Sequence, residues 1–166
     1  MIFKLKILVK NYNGGPKITI GCDQKILYQT ELNNSGSKQI QFDDNIIFPN
    51  TLYIKHYDKN MKTDTKVVNG QIIDDKGFFL NSLQIGNILL DKEIFNFNFH
   101  TEDGKILKKN NYFGLNGKML INVDEDNLLS WYIKLQQSFV NQNIEFDYDS
   151  FKKEIFADDK NLKLNY

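Results

Sequence analysis

Asn69-Gly70 is the feature that most narrows the fold. It stands between two runs rich in β-branched residues, Lys66-Val67-Val68 and Gln71-Ile72-Ile73. Both central residues of a type I′ turn need positive φ, which asparagine and glycine tolerate, so the spacing predicts a β-hairpin. Turn signals recur at short intervals around it, at Asn13-Gly14-Gly15-Pro16, Asn33-Asn34-Ser35-Gly36 and Asp74-Asp75-Lys76-Gly77. Between them the chain alternates. Phe3, Leu5, Ile7 and Val9 share one face of a first strand, and Ile18, Ile20 and Cys22 one face of a second. Ile26, Tyr28, Thr30 and Leu32 follow on a third, then Ile40 and Phe42 on a fourth. Period-two alternation with no helical pattern in between indicates antiparallel strands in a sandwich.

The next strand, Leu52 to Tyr57, puts Leu52, Ile54 and His56 on one face and Tyr53, Lys55 and Tyr57 on the other. His56 therefore lands on the apolar side. It reads either as a core-edge histidine bonded to backbone or as a ligand. An acidic loop, Asp58 to Asp64, leads into the hairpin. Phe78 to Leu90 is a long apolar strand with a bulge or break at Gly86. The expected fold is mainly β: an antiparallel jelly-roll-like β-sandwich over 1–92, with Phe3, Leu5, Ile7, Ile18, Ile20, Ile40, Leu52 and Ile54 inside. Residues 93–166 are expected to form a β-hairpin plus a helical extension packed on it. In that part Ile94 to His100 alternates as a strand with Phe95, Phe97 and Phe99 on one face. Asp124-Glu125-Asp126 reads as the acidic start of a helix. Leu128, Trp131, Tyr132, Leu135 and Phe139 then recur at helical spacing. That stripe must be buried on the Phe-bearing sheet or on a neighbouring subunit. Beyond it, Ile144 to Tyr148 alternates weakly, Asp149 caps a short helix Ser150 to Phe156, and Asp158 to Tyr166 is a polar tail.

Charge and composition exclude several classes. With 41% apolar residues the chain can bury a core, and its formal net charge is +0. Every basic side chain but histidine is lysine. Without a basic excess or the arginine fork, nucleic-acid binding is excluded. No apolar run approaches a membrane span. The N-terminus MIFKLKILVK alternates and has no signal-peptide h-region, so a chain made in the cytoplasm and left unprocessed is expected. A single cysteine, Cys22, allows no intrachain disulfide and no thiolate zinc cluster. With His56 and His100 the only imidazoles, no nucleophile–base pattern, P-loop or zinc helix appears.

Loop carboxylates are what remains. Asp43, Asp44, Asp58, Asp64, Asp74 and Asp75 lie in loops or at strand ends. Calcium takes several oxygen ligands from irregular loops, which makes Asp58, Asp64, Asp74 and Asp75 the candidate calcium set. Solvated turns using aspartate for local hydrogen bonds are the competing reading.

The stretch IKHYDKNMKTDT (Ile54 to Thr65) followed by VVNGQI (Val67 to Ile72) resembles the calcium-dependent carbohydrate-binding modules of the xylan-binding type, over Ile7 to Leu90. The resemblance implies a jelly-roll sandwich and sugar binding at a loop-borne calcium. The chain departs from it where the strand ends in His56-Tyr57-Asp58. Over the whole chain, YFGLNGKMLINV (Tyr112 to Val123) and LLSWYI (Leu128 to Ile133) are similar to small virion-type proteins of marine tailed phages, which implies a structural part in a virion.

The expected function is a non-enzymatic binding or assembly module, a phage virion decoration or adhesion protein with a carbohydrate-binding-like sandwich. Its ligand site would use His56, Tyr57, Asp58, Asp64 and Asn69. The expected partners are a surface glycan, other virion proteins and further copies of itself. The alternative is a carbohydrate-active enzyme using the loop carboxylates in pairs.

Overall fold

A computed structural model describes residues 1–23 and 25–141. The chain divides into two compact units, Met1–Tyr132 and Ile133–Tyr166. The strands in chain order are β1 (Ile2–Lys10), β2 (Lys17–Cys22), β3 (Lys25–Glu31), β4 (Gly36–Asp43), β5 (Asn50–Tyr57), β6 (Thr65–Val68), β7 (Gln71–Asp75), β8 (Gly77–Ile85), β9 (Ile88–Leu90), β10 (Phe99–Thr101), β11 (Ile106–Leu107), β12 (Tyr112–Phe113) and β13 (Gly117–Val123). Among the described residues the α-helix α1 (Leu128–Asn141) follows them.

The strands form a mainly β fold of antiparallel sheets. One sheet runs β12-β8-β1-β4, with β9 also paired to β8, and the other runs β11-β10-β13-β5-β2-β3. β6 and β7 make a separate two-stranded sheet. β1 and β5 give alternate residues to the interior, and β2 buries five residues in succession. β1 contributes Phe3, Leu5, Ile7 and Val9, β2 Ile18, Ile20 and Cys22, and β5 Leu52, Ile54 and His56, all buried. Phe3, Leu5, Ile7, Ile18, Ile20, Ile40, Leu52 and Ile54, expected inside, are all buried, whereas Phe42, also expected inward, is half-buried and Ile26 of the third strand's face is exposed. Aromatic contacts tie the two sheets. Phe78 stacks on Phe113 at 4.5 Å on one sheet. Phe99 of the other sheet meets Phe113 edge-on at 4.9 Å, and His56 meets Phe78 edge-on at 5.8 Å.

Asn69 and Gly70 have φ of 52° and 80°, as the type I′ turn requires. The hairpin's Val67, Val68, Ile72 and Ile73 are exposed.

Three features differ from the sequence reading. In β8 the pairing with β1 slips between Lys6 and Ile7, which leaves Asn81 unmatched. This bulge moves the buried set from Phe78 and Leu80 to Leu83 and Ile85, so one apolar strand carries two phases. The break expected at Gly86 is there: at φ 57° it is the first residue of a two-residue turn into β9. Next, Ile94 to His100 is not one strand. Lys92–Asn96 is a 3-10 helix that buries Ile94 and Phe95, and only Phe99 onward is extended. Lastly, Asn127 caps α1, its Oδ1 accepting from the backbone N–H of Leu129 at 2.8 Å, in place of the acidic triplet before it.

The expected division at 92–93 is crossed by the sheets. β13 pairs with β5 from Gly117↔His56 to Val123↔Asn50, and β12 pairs with β8. The chain passes from one sheet to the other through 114–116. The readings placed on Ile144 to Tyr148, Ser150 to Phe156 and the polar tail lie outside the described residues.

Candidate functional site

The C-terminal end of β5 meets the start of β2, the start of β13 and the start of β8. The residues singled out from sequence fall into three groups here: a buried charged layer, an accessible ledge on the outer face of the six-stranded sheet, and the hairpin tip.

The buried layer is made of lysine–aspartate pairs. Lys59 Nζ donates to Asp75 Oδ1 and to the carbonyl of Gly114, with side-chain exposures of 0% and 5% for the ion pair. The Tyr112 hydroxyl donates to Asp75 Oδ2, and the Thr65 hydroxyl donates to Oδ1 at 2.7 Å. Burial lowers the Lys59 pKa, against the pull of Asp75. Burial likewise raises that of Tyr112, and Asp75 adds to it, so the phenol keeps its proton. Beside this pair Lys76 Nζ donates to Asp64 Oδ2 at 3.1 Å and to the Asp58 carbonyl at 3.2 Å. Asp64 also accepts from the Asn60 N–H at 2.9 Å and the Thr63 hydroxyl at 2.9 Å. Asn116 fastens the layer by bonding both the N–H and the carbonyl of Lys59, each at 2.9 Å.

His56 lies under this layer with no exposed surface. Its Nδ1 donates to the Leu115 carbonyl at 3.1 Å, which fixes the tautomer. Burial lowers its pKa to about 4. Such an imidazole is a core group and reaches no ligand from outside.

The calcium set does not fit a calcium ion. Asp64 and Asp75 are buried and matched by Lys76 and Lys59. Asp58 is exposed and paired with Lys17. Asp74 Oδ1 accepts the Asp75 N–H at 2.9 Å. Among the described residues no three of His, Cys, Asp and Glu come together as a metal site. A divalent cation here would have to displace ammonium groups already in hydrogen-bond contact. Nor are Asp64 and Asp75 the solvated turn residues of the competing reading.

The ledge is different in kind. Because Leu52, Ile54 and His56 point inward, Tyr53, Lys55 and Tyr57 line the outer face. β2 sets Gly21 opposite Tyr53, Thr19 opposite Lys55 and Lys17 opposite Tyr57. β3 adds Gln29 opposite Thr19 and Glu31 opposite Lys17. The Gln29 amide donates to the Tyr57 hydroxyl, and Lys55 Nζ lies 5.9 Å from the Tyr57 ring centre. Lys55 also pairs with Glu102 at 3.3 Å. Gly21 makes room for Tyr53: a Cβ there would stand 2.3 Å from the Tyr53 hydroxyl oxygen. The Tyr53 phenol thus lies across the sheet, where burial raises its pKa.

Of the five expected ligand residues, Tyr57 and Asp58 share this ledge. His56 and Asp64 are closed off beneath it, and Asn69 sits apart at the exposed hairpin tip. Sequence reasoning missed Lys59, Lys76 and Tyr112, and it missed Gln29 and Lys17. The outward facing of Tyr53 and Tyr57 was readable from the alternation of β5.

No protein-family profile and no curated protein matches the chain. Among solved structures it is similar to one titled vCBM60 in complex with galactobiose, with a TM-score of 0.49 and 7% identity, over 74% of this chain and 98% of that one. It is similar at the same TM-score and identity, over 72% and 90%, to the selenomethionine form of vCBM60, whose title describes circular permutation linking two families of calcium-dependent carbohydrate-binding modules. At 7% identity these likenesses assign no site in this chain.

Proposed function

We propose that the protein is a non-catalytic glycan-binding module whose site is the outer face of the six-stranded sheet at Tyr57. The observation that supports it is the ledge: Tyr57 and Tyr53 four residues apart on one face of one strand, with Lys55 between them and Gln29, Lys17 and Asp58 beside them. A sugar ring has an apolar C–H face and a rim of hydroxyls. Aromatic rings offer apolar area at low conformational cost. Amide, ammonium and carboxylate groups around them fix orientation through hydrogen bonds. In a virion, the setting expected from the sequence, such a ledge would face a surface glycan.

The enzymatic alternative is disfavoured by burial. Hydrolysis by paired carboxylates needs two carboxyl groups flanking the scissile bond. Asp64 and Asp75, shut in and held by lysines, do not reach one.

A glycan array followed by titration calorimetry on its hits tests the reading. Tyr57→Ala should weaken binding tenfold or more, a loss of about 1.4 kcal/mol or greater. Binding should also survive chelation of divalent ions. A calcium site saturated a hundredfold over its Kd would raise stability by about 2.7 kcal/mol; no rise in melting temperature with calcium is expected. No hit on the array, or hits indifferent to both Tyr57→Ala and Tyr53→Ala, would remove the ledge from consideration. A melting temperature that climbs with calcium would restore a metal site.

A further inference from the structure

We infer that Lys59 and Asp75 become joined by an isopeptide bond, formed from the buried ion pair without any cofactor. Four features of the site carry this. The reacting groups are in hydrogen-bond contact and closed to solvent, with side-chain exposures of 0% and 5%. Both carboxylate oxygens are held by hydroxyl donors, Oδ2 by Tyr112 and Oδ1 by Thr65. The Gly114 carbonyl takes one N–H of Lys59 and so orients the nitrogen. Phe78 and Phe113, both buried, stack on the same edge of the sandwich, where Gly77 and Gly114 bring β8 and the 114–116 crossing close together.

Each feature has a chemical consequence. A desolvated lysine is pushed toward the neutral amine, which is the nucleophilic form. Holding amine and acid together replaces a bimolecular encounter, an advantage that can reach many orders of magnitude in rate. Hydroxyl donors aimed at the carboxyl oxygens stabilise the charge that develops as the carbon becomes tetrahedral. The product is neutral, so the reaction removes two buried charges whose desolvation the fold otherwise bears.

The step balances within the pair. One proton passes from the Lys59 ammonium to Asp75 Oδ1, the oxygen it contacts, leaving an amine and an acid. The Nζ lone pair attacks Cγ and the C–N bond forms. A second Nζ proton passes to Oδ1, the Cγ–Oδ1 bond breaks, and one water leaves. Oδ2 stays as the amide oxygen, still bonded by the Tyr112 hydroxyl, which keeps its own proton. Thr65 donates to the oxygen that departs. Nothing is oxidised or reduced and no co-reactant enters. The bond ties the loop after β5 to the end of β7, and so clamps the hairpin to the end of the sandwich.

Intact mass of the full chain under denaturing conditions tests this. The chain should be lighter than its sequence by one water. A succinimide at Asp103-Gly104 would also lose one water, so the identification rests on proteolysis: Lys59 should resist trypsin, and a branched peptide should join the Lys59 and Asp75 segments. Lys59→Arg and Asp75→Ala should each have the full sequence mass. Tyr112→Phe should form the bond more slowly on refolding. A wild-type chain of full sequence mass overturns the inference whether or not any variant folds. So does a water loss that persists in Lys59→Arg. Bond formation at an unchanged rate in Tyr112→Phe would remove Tyr112 from the step.

Discussion

Lys76 holds Asp64 at 3.1 Å with only 10% and 7% of the two side chains exposed. A buried pair of this kind costs desolvation to form, and breaking it strands one charge. Asp64→Asn should therefore destabilise by about 3–5 kcal/mol, because the Lys76 ammonium is left in the interior. Asp64→Asn combined with Lys76→Met should cost less than the single change. Urea unfolding of the two single variants and the double variant measures the coupling. Equal or additive losses would show that the pair is not an energetic unit.

Acid should weaken the fold in two stages, from two groups of opposite charge. Burial alone would raise the Asp64 pKa, but the Asn60 N–H, Lys76 and Thr63 hold it at about 2, against 3.8 when unperturbed. A lowered carboxylate contributes stability that is complete above 3.8 and is lost as pH falls toward 2. His56 acts earlier. Its pKa falls from 6.5 to about 4 because burial disfavours the imidazolium, and Lys59 and Lys76 add repulsion that Asp75 and the Leu115 carbonyl oppose. Between pH 6.5 and 4 the unfolded chain takes up a proton that the folded chain refuses. Stability therefore drops across that window by about 3 kcal/mol and the His56 contribution levels off below it. His56→Asn, which keeps a donor for Leu115, should flatten the drop. Denaturant melts across the window measure it, and an unchanged slope in the variant would mean that another group titrates there.

Gly21 is required by close approach, not by turn geometry. A Cβ at this position would meet the Tyr53 hydroxyl at 2.3 Å and the Lys25 carbonyl at 2.6 Å. The second contact is backbone and cannot swing away. Gly21→Ala should cost roughly 1–3 kcal/mol through overpacking and lift the Tyr53 ring from the sheet. Thermal melting gives the cost. If the ledge binds glycan, the same variant should weaken binding more than Lys118→Ala, which changes the same face without touching Tyr53.

How much of this was legible depended on whether local pattern and tertiary environment agreed. In β1 and β5 they agreed, since period-two alternation and one buried face give the same assignment. In β8 the bulge at Asn81 put two phases into one apolar run, and no residue there signals it. Phe95, Phe97 and Phe99 are all buried as alternation implies, yet Ile94 is buried as well. The 3-10 turn buries Ile94 and Phe95 together, which a strand with one buried face does not do. The site was least legible because Lys59 and Lys76 sit in loops of Asp, Asn and Lys that read as solvated. Their burial comes from Tyr112, Gly114 and Asn116, about fifty residues away in sequence for Lys59. Nothing in the spacing of the loop announces those partners. Two aspartates that looked like calcium ligands or solvated turns therefore proved to be counter-ions inside the fold.

Trp131 is the last test of how the helix start belongs to the sandwich. Its Nε1 donates to the Asn122 carbonyl at 2.9 Å, and the side chain is 3% exposed. Of the two surfaces expected to cover it, its own chain provides the cover, at the end of β13. The local reasons are clear. Asn127 caps the helix by accepting from Leu129 at 2.8 Å, and its carbonyl receives the Trp131 N–H at 3.1 Å. One turn after the cap, the indole is aimed back at the strand the chain has just left. Truncation to Ala removes a large buried ring and should cost about 3–5 kcal/mol. Trp131→Phe keeps most of the volume but leaves the Asn122 carbonyl without its donor, so about 1–3 kcal/mol is expected. Trp131 is the single tryptophan, so intrinsic fluorescence reports this contact alone. The native protein should emit at short wavelength and shift to the red in one step with the loss of β-sheet circular dichroism. A red-shifted native emission, or a shift completed before the sheets unfold, would show that Trp131 is not packed into the sandwich and that the first turn of α1 detaches independently.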